Sequence, residues 1–226
     1  AAEEYVHAGY PIDAAAILLC ELDGSASQVE ADADRVSDIM KAKGAINVRT
    51  ATTEEECELF WKGRKAAFPA VGRLAPDYYC MDGSVPRHAI GRVLSEITRL
   101  STVYQLPVAN VFHAGDGNLH PLVLYDANKE GELQRAETFG GKILEYCVAV
   151  GGTITGEHGV GVEKLDQMCL QFSEAELNQF HRLKAAFDPG TLMNPGKAVP
   201  TLARCSELGG MHVHEGKVPH PELERF

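Results

Sequence analysis

Eight residues constrain this chain more tightly than any other stretch: His113-Ala114-Gly115-Asp116-Gly117-Asn118-Leu119-His120. They sit inside residues 108–125, which read as two strands folded on a Gly-Asp-Gly-Asn turn. With residues 115–118 as a four-residue loop, Ala114 faces Leu119 and His113 faces His120. Directly opposed residues on one face of a hairpin have Cβ atoms roughly 4.5–5.5 Å apart. Two imidazoles so placed can converge on one ion, each nitrogen about 2.0–2.1 Å from it. The two glycines and Asn118 supply the positive φ angles the reversal needs. Histidines also flank surface hairpins by chance, so the pattern calls for support elsewhere in the chain.

That support lies in Gly156-Glu157-His158-Gly159-Val160-Gly161. Glu157 suits a third ligand to a divalent ion. The imidazole of His158 suits a general base, because that ring changes charge near physiological pH. A nucleotide-phosphate loop is the competing reading of these glycines. Their order is G-x-x-G-x-G, not G-x-G-x-x-G, and no acidic residue follows a second strand at the expected distance. Trp61-Lys62-Gly63-Arg64 adds a guanidinium whose planar fork grips a carboxylate at two points. On spacing alone, Arg64 reads more readily as a solvated side chain on a helix.

Around these motifs the hydrophobic period alternates between strand and helix. Residues 14–21, apolar through Cys20, read as a buried strand closed by Asp23-Gly24-Ser25, residues 46–50 as a short alternating strand and residues 78–81 as another. A helix over 28–43 is stopped by Gly44, and a second runs from Thr53, boxed by Glu56, toward Phe68. Further helices are expected over 87–104, 130–150 and around 163–171, and from Ser173, boxed by Glu176, to a stop before Pro189. The order predicts an α+β fold: a mainly antiparallel sheet with helices packed on one face. From Thr191 onward Pro and Gly recur and the period fades, which predicts a C-terminal segment that wraps a surface. The expected division is a substrate-binding or cap domain with the metal site over 1–170, then a C-terminal helix and tail over 171–226.

Charge and composition narrow the function classes. The chain carries 32 Asp and Glu against 21 Lys and Arg, a formal net charge of −11, and has no run of five basic residues. Nucleic acid and anionic membranes both need a basic surface and are excluded as partners. The longest apolar run, residues 14–20, is too short to span a bilayer. The first residues show no basic and apolar leader, so a cytoplasmic location is expected. The six cysteines are scattered without a CxxC pair, which predicts reduced, mostly buried thiols and no iron–sulfur cluster in this chain.

Taken together, HAGDGNLH, GEHGVG, WKGR, the segment Asp77-Tyr78-Tyr79-Cys80-Met81-Asp82-Gly83, and the closing Phe187-Asp188-Pro189 and Asn194-Pro195-Gly196-Lys197 resemble one family. It is the C-terminal half of the FAD-linked oxidases, the group that contains D-lactate and D-2-hydroxyglutarate dehydrogenases. The tail, from Arg204-Cys205 through Met211-His212-Val213-His214 to Phe226, resembles its glycolate-oxidising branch. The resemblance implies a divalent metal (zinc, iron or manganese) on His113, His120 and Glu157. It makes His158 the base and Arg64 the clamp for the substrate carboxylate, and it sets Asn194 near the flavin. FAD itself would be held mainly by an N-terminal domain that this chain does not show, and the isolated fragment would not turn over. Some relatives carry a lysine near Cys80 and an asparagine two residues after the second metal histidine, where Leu122 stands here. Those departures point to a small 2-hydroxyacid with one carboxylate, glycolate or D-lactate. Partner subunits, including an iron–sulfur subunit, are also implied, with any membrane association running through them.

Two rival classes share the same motifs. A metal-dependent hydrolase also uses two His and a Glu with an open position, and it predicts activity without flavin. A non-catalytic domain with a structural metal needs a fourth protein ligand, for which His88 and Asp116 are the candidates. His212, His214 and His220 read as exposed tail residues or as a contact with partner subunits.

Overall fold

The computed structural model describes residues 1–200. Two compact units divide between Leu74 and Ala75, so the boundary expected after residue 170 falls inside the second unit. The tail motif around Arg204, Cys205, His212, His214 and His220 lies outside the described residues.

The first unit is helical: α1 (Ala2–Val6), α2 (Ala26–Ala42), α3 (Glu54–Lys65) and α4 (Ala67–Val71). Helix α3 starts where its cap dictates. The Thr53 hydroxyl accepts the N–H of Glu56, and the Glu56 carboxylate turns back to the N–H of Thr52 at 2.7 Å. Three glutamates in its first turn and Lys62, Arg64 and Lys65 in its last complement the helix dipole. Tyr10 crosses α3 at Gly63, where a Cβ would stand 2.0 Å from the ring. Its hydroxyl donates to the Phe60 carbonyl and accepts the Gly63 N–H.

The strands expected over 14–21 and 46–50 do not form. Those residues carry no regular structure, and Ile17, Leu18 and Ile46 are exposed. A strand exists only where a neighbour completes its hydrogen bonds, and none does so here among the described residues.

The second unit is α+β, as expected. In chain order it holds β1 (Asp77–Cys80), β2 (Gly83–Ser84), α5 (Ile90–Tyr104), β3 (Val108–Asn110), β4 (Asn118–Leu119), β5 (Pro121–Tyr125), α6 (Glu132–Ala149), α7 (Leu165–Gln171) and α8 (Glu174–Phe187). Both sheets are antiparallel: β5 lies between β1 and β3, and β2 pairs with β4. Tyr79, Val123 and Val108 align across the larger sheet and pack against Val93, Ile97 and Leu100 of α5 and Phe139 and Ile143 of α6. Each such side chain, fully buried, contributes about 1.5–3 kcal/mol. Met81, Leu144, Ile154, Met168 and Leu177 form a second cluster that ties α6 to α7 and α8. Helix α8 carries the expected box between Ser173 and Glu176.

The thiols depart from expectation. Cys20, Cys57, Cys80 and Cys147 are free, but only Cys147 is buried, and Cys169 is disulfide-bonded. Bonding depends on which Cα atoms approach in space, which spacing along the chain does not encode. No helix among the described residues is long and apolar enough to cross a membrane.

Candidate metal centre

The hairpin register sets the geometry of the site. Val108 pairs with Val123, Ala109 with Leu122 and Asn110 with Pro121, and the same register carries on to place His113 opposite Asn118. The His113 N–H donates to the Asn118 carbonyl at 3.0 Å. The loop is therefore 114–117, one residue earlier than expected, and His113 does not face His120. The cause is Gly117, the one residue of this turn at positive φ (74°). It passes so close to Val85 that a Cβ would stand 2.1 Å from the Val85 carbonyl oxygen, and its own carbonyl accepts the Val85 N–H at 2.9 Å. His113 becomes the diagonal neighbour of His120 on the same face, with ring centroids 5.8 Å apart.

Because Val123 and Tyr79 point toward α5 and α6, strand alternation turns His120, Leu122, Cys80 and His113 to the opposite face. Strand β2 brings the second motif to that face. Ser84 pairs with Asn118 on one side and with Thr153 on the other, exchanging both backbone hydrogen bonds with Thr153. Gly156 permits the approach that follows: a Cβ there would lie 2.4 Å from Asn118 Oδ1 and 2.5 Å from Ser84 Oγ.

Glu157 is the hub of the resulting cluster. Its Oε1 lies 2.6 Å from His120 Nε2 and 3.0 Å from Asn118 Nδ2. The same oxygen is 3.9 Å from His113 Nε2 and 3.9 Å from His158 Nε2. The rings of His120 and His158 stack at 4.9 Å. His120 is buried, whereas His113, Glu157 and His158 are half exposed, so the cluster is walled on one side and open on the other. Ligand atoms of His113, His120 and Glu157 lie within 4.8 Å of one another. Two imidazole nitrogens and a carboxylate oxygen so disposed fit a divalent ion with open positions. Neither His88 nor Asp116 joins a metal-ligating group among the described residues.

Asp82 holds the loop that carries Glu157 and His158. Wholly buried, its carboxylate accepts the Thr155 hydroxyl at 2.7 Å and the backbone N–H groups of Gly156, Glu157 and His158 at 3.1, 3.2 and 2.9 Å. The buried ammonium of Lys164 reaches the same carboxylate at 3.0 Å and Thr155 Oγ1 at 3.2 Å. Burial opposes the charge on Asp82. The Thr155 hydroxyl, the His158 N–H and Lys164 outweigh it and hold the carboxyl well below the usual carboxylate range. Full pairing and hydrogen bonding are what make a buried charge tolerable.

The cluster is built from the second unit alone. Arg64 lies in the last turn of α3, in the first unit. Asn194 follows α8 with a left-handed backbone (φ 47°), in the irregular segment that the fading period predicts.

Residues 1–198 match the family of FAD linked oxidases, C-terminal domain. The chain is 64% identical over 226 residues to glycolate oxidase subunit GlcD of Escherichia coli (strain K12), covering 100% of this chain and 45% of that protein. Against glycolate oxidase subunit GlcD of Bacillus subtilis (strain 168) the identity is 38% over 202 residues, 89% of this chain and 43% of that protein. The D-lactate dehydrogenase of Archaeoglobus fulgidus is 31% identical over 173 residues, 76% of this chain and 37% of that protein. The chain thus spans less than half the length of these curated relatives. Among solved structures it is similar to 4-ethylphenol oxidase from Gulosibacter chungangensis, with a TM-score of 0.55 at 16% identity, over 79% of this chain and 38% of that one. At that identity the likeness concerns the fold.

Proposed function

The chain belongs to the FAD linked oxidases, as their C-terminal domain, and on that premise we propose that it forms the substrate and metal side of a flavin-dependent 2-hydroxyacid dehydrogenase acting on glycolate or D-lactate. The observation that carries this reading is the convergence of His113, His120 and Glu157 with His158 beside them. Relatives named as glycolate oxidase subunits and D-lactate dehydrogenases support the substrate class.

His113, His120 and Glu157 would hold a zinc, iron or manganese ion, which when bound supplies Lewis-acid polarisation of the substrate hydroxyl. FAD, held mainly by a region outside this chain, supplies the hydride acceptor. The chain's own residues orient the substrate and move its proton. His158 takes the hydroxyl proton on its half-exposed ring, whose plane is set by stacking on His120 and whose main chain is fixed by Asp82. Arg64 grips the substrate carboxylate, a role that rests on its motif and on the donor geometry of a guanidinium. Asn194 lies near the flavin. Further subunits, including an iron–sulfur subunit, carry the electrons onward, and any membrane association runs through them.

The test uses the full-length protein. Metal content and glycolate- or D-lactate-dependent reduction of an artificial dye are measured for the wild type and for His113→Ala, Glu157→Ala and His158→Ala. Near-stoichiometric metal is lost in the first two variants and kept in the third, while turnover is lost in all three. Turnover by metal-free protein would reject the reading, and ester or amide hydrolysis without flavin would replace it with a metal-dependent hydrolase.

A further inference from the structure

Cys80 has no part in the ligand set above, yet its sulfur lies beside it. Cys80 Sγ, a nitrogen of His120 and a nitrogen of His158 all lie within 4.8 Å of one another. The register accounts for this: Cys80 pairs with Leu122 across β1 and β5, which makes it the diagonal neighbour of His120 on the same face. Of the two His120 nitrogens, Nε2 is engaged by Glu157 at 2.6 Å. Nδ1 is buried without a hydrogen-bond partner among the described residues, in a side chain only 3% exposed. A buried polar atom left unmatched is uncommon and asks for a partner. Among the described residues the thiol makes one hydrogen bond, 3.5 Å to the Met81 carbonyl.

We propose that Cys80, His120 and His158 form a second seat, for a thiophilic divalent ion such as Zn²⁺ or Cd²⁺. It differs from the first by its sulfur ligand and by enlisting His158 in place of His113 and Glu157. One thiolate and two imidazoles, completed by solvent, are a donor set that soft and borderline ions prefer and that hard ions such as Mg²⁺ do not. Burial pushes the Cys80 thiol up to about 11, so without an ion it stays protonated at neutral pH. Binding forms a sulfur–metal bond and releases the thiol proton to solvent, with no change of oxidation state. Occupation withdraws His158 from proton transfer, so such ions inhibit turnover. That consequence, unlike the seat itself, rests on the proposed role of His158 as the base.

The experiment titrates Cd²⁺ into the full-length protein in a background where the exposed Cys20 and Cys57 are replaced by serine. Thiolate-to-cadmium charge-transfer absorption is followed beside turnover. A saturable band is expected that Cys80→Ser abolishes, and His158→Ala weakens Cd²⁺ binding by roughly tenfold or more. The Cd²⁺ concentration that halves each protein's own turnover rises by at least about tenfold in Cys80→Ser. A band that persists in Cys80→Ser, or Cd²⁺ binding indifferent to His158→Ala, overturns the seat. The band is read without substrate. A protein showing the Cys80-dependent band but no 2-hydroxyacid oxidation therefore keeps the seat and rejects the proposed function.

Discussion

Asp82 Oδ2 accepts the backbone N–H of His158 at 2.9 Å, so the proposed base is fixed through its main chain while its ring stays half exposed. The same carboxylate accepts the N–H of Glu157, so ligand and base share one anchor. Asp82→Asn leaves the buried ammonium of Lys164 without its counter-charge. Removing one partner of a buried pair costs about 3–5 kcal/mol, and urea denaturation of the variant is expected to show a loss of that order.

The anchor also gives the acid response a sign. Asp82 is held below its usual range when folded and returns to about 3.9 when the chain unfolds. A group with a depressed folded pKa adds stability that is complete above its unfolded value and is lost as pH falls toward the folded one. The melting temperature of the wild type should therefore fall more steeply than that of Asp82→Asn between about pH 4 and pH 2. Parallel declines would assign the acid loss to other carboxylates.

Asn118 ties the hairpin to the Glu157 carboxylate through a 3.0 Å hydrogen bond from Nδ2. Groups that orient a ligand in this way are worth about 10–100-fold in metal affinity. A chelator titration of full-length Asn118→Ala should show a loss within that span, with His113, His120 and Glu157 all still present.

Gly156 has a stricter requirement than its neighbours. A Cβ there would press on Asn118 Oδ1 at 2.4 Å and Ser84 Oγ at 2.5 Å, whereas one at Gly115 meets nothing within 4 Å. Overpacking of this kind costs about 1–3 kcal/mol. Thermal melts should show Gly156→Ala destabilised by that amount and Gly115→Ala close to the wild type.

If Arg64 clamps the substrate carboxylate, Arg64→Lys keeps the charge and loses the two-point grip. A charge-assisted hydrogen bond is worth about 1.5–3 kcal/mol, or roughly 10–100-fold in kcat/KM, and the loss should fall mainly on KM. An unchanged KM would assign the carboxylate to another cation.

What was legible in the sequence was what short spacing encodes. The cap at Thr53 and the box at Ser173 both depend on residues three positions apart. The grouping of His113, His120 and Glu157 was legible as chemistry, but the hairpin register was not. A two-glycine turn admits neighbouring loops, and the choice fell to Val85, a residue of another segment. Residues 14–21 read as a strand because their apolar run says nothing about whether a pairing partner exists. The anchoring role of Asp82 and Lys164 is hidden from local spacing for a related reason. An aspartate before a glycine looks like turn chemistry until residues more than 70 positions away converge on it.

That distance has a consequence for the order of events during synthesis. The bonds that shape residues 155–158 join positions 73 to 76 apart, and Lys164 closes the set from 82 away. Helices and hairpins form from neighbouring residues, whereas pairings of such long reach wait on loop closure. A nascent chain that has emerged only as far as the hairpin already owns both histidines but has no anchored carboxylate to set against them. The centre therefore waits on contacts of long reach, and a chain that ends short of Lys164 lacks the ion pair that completes its anchor.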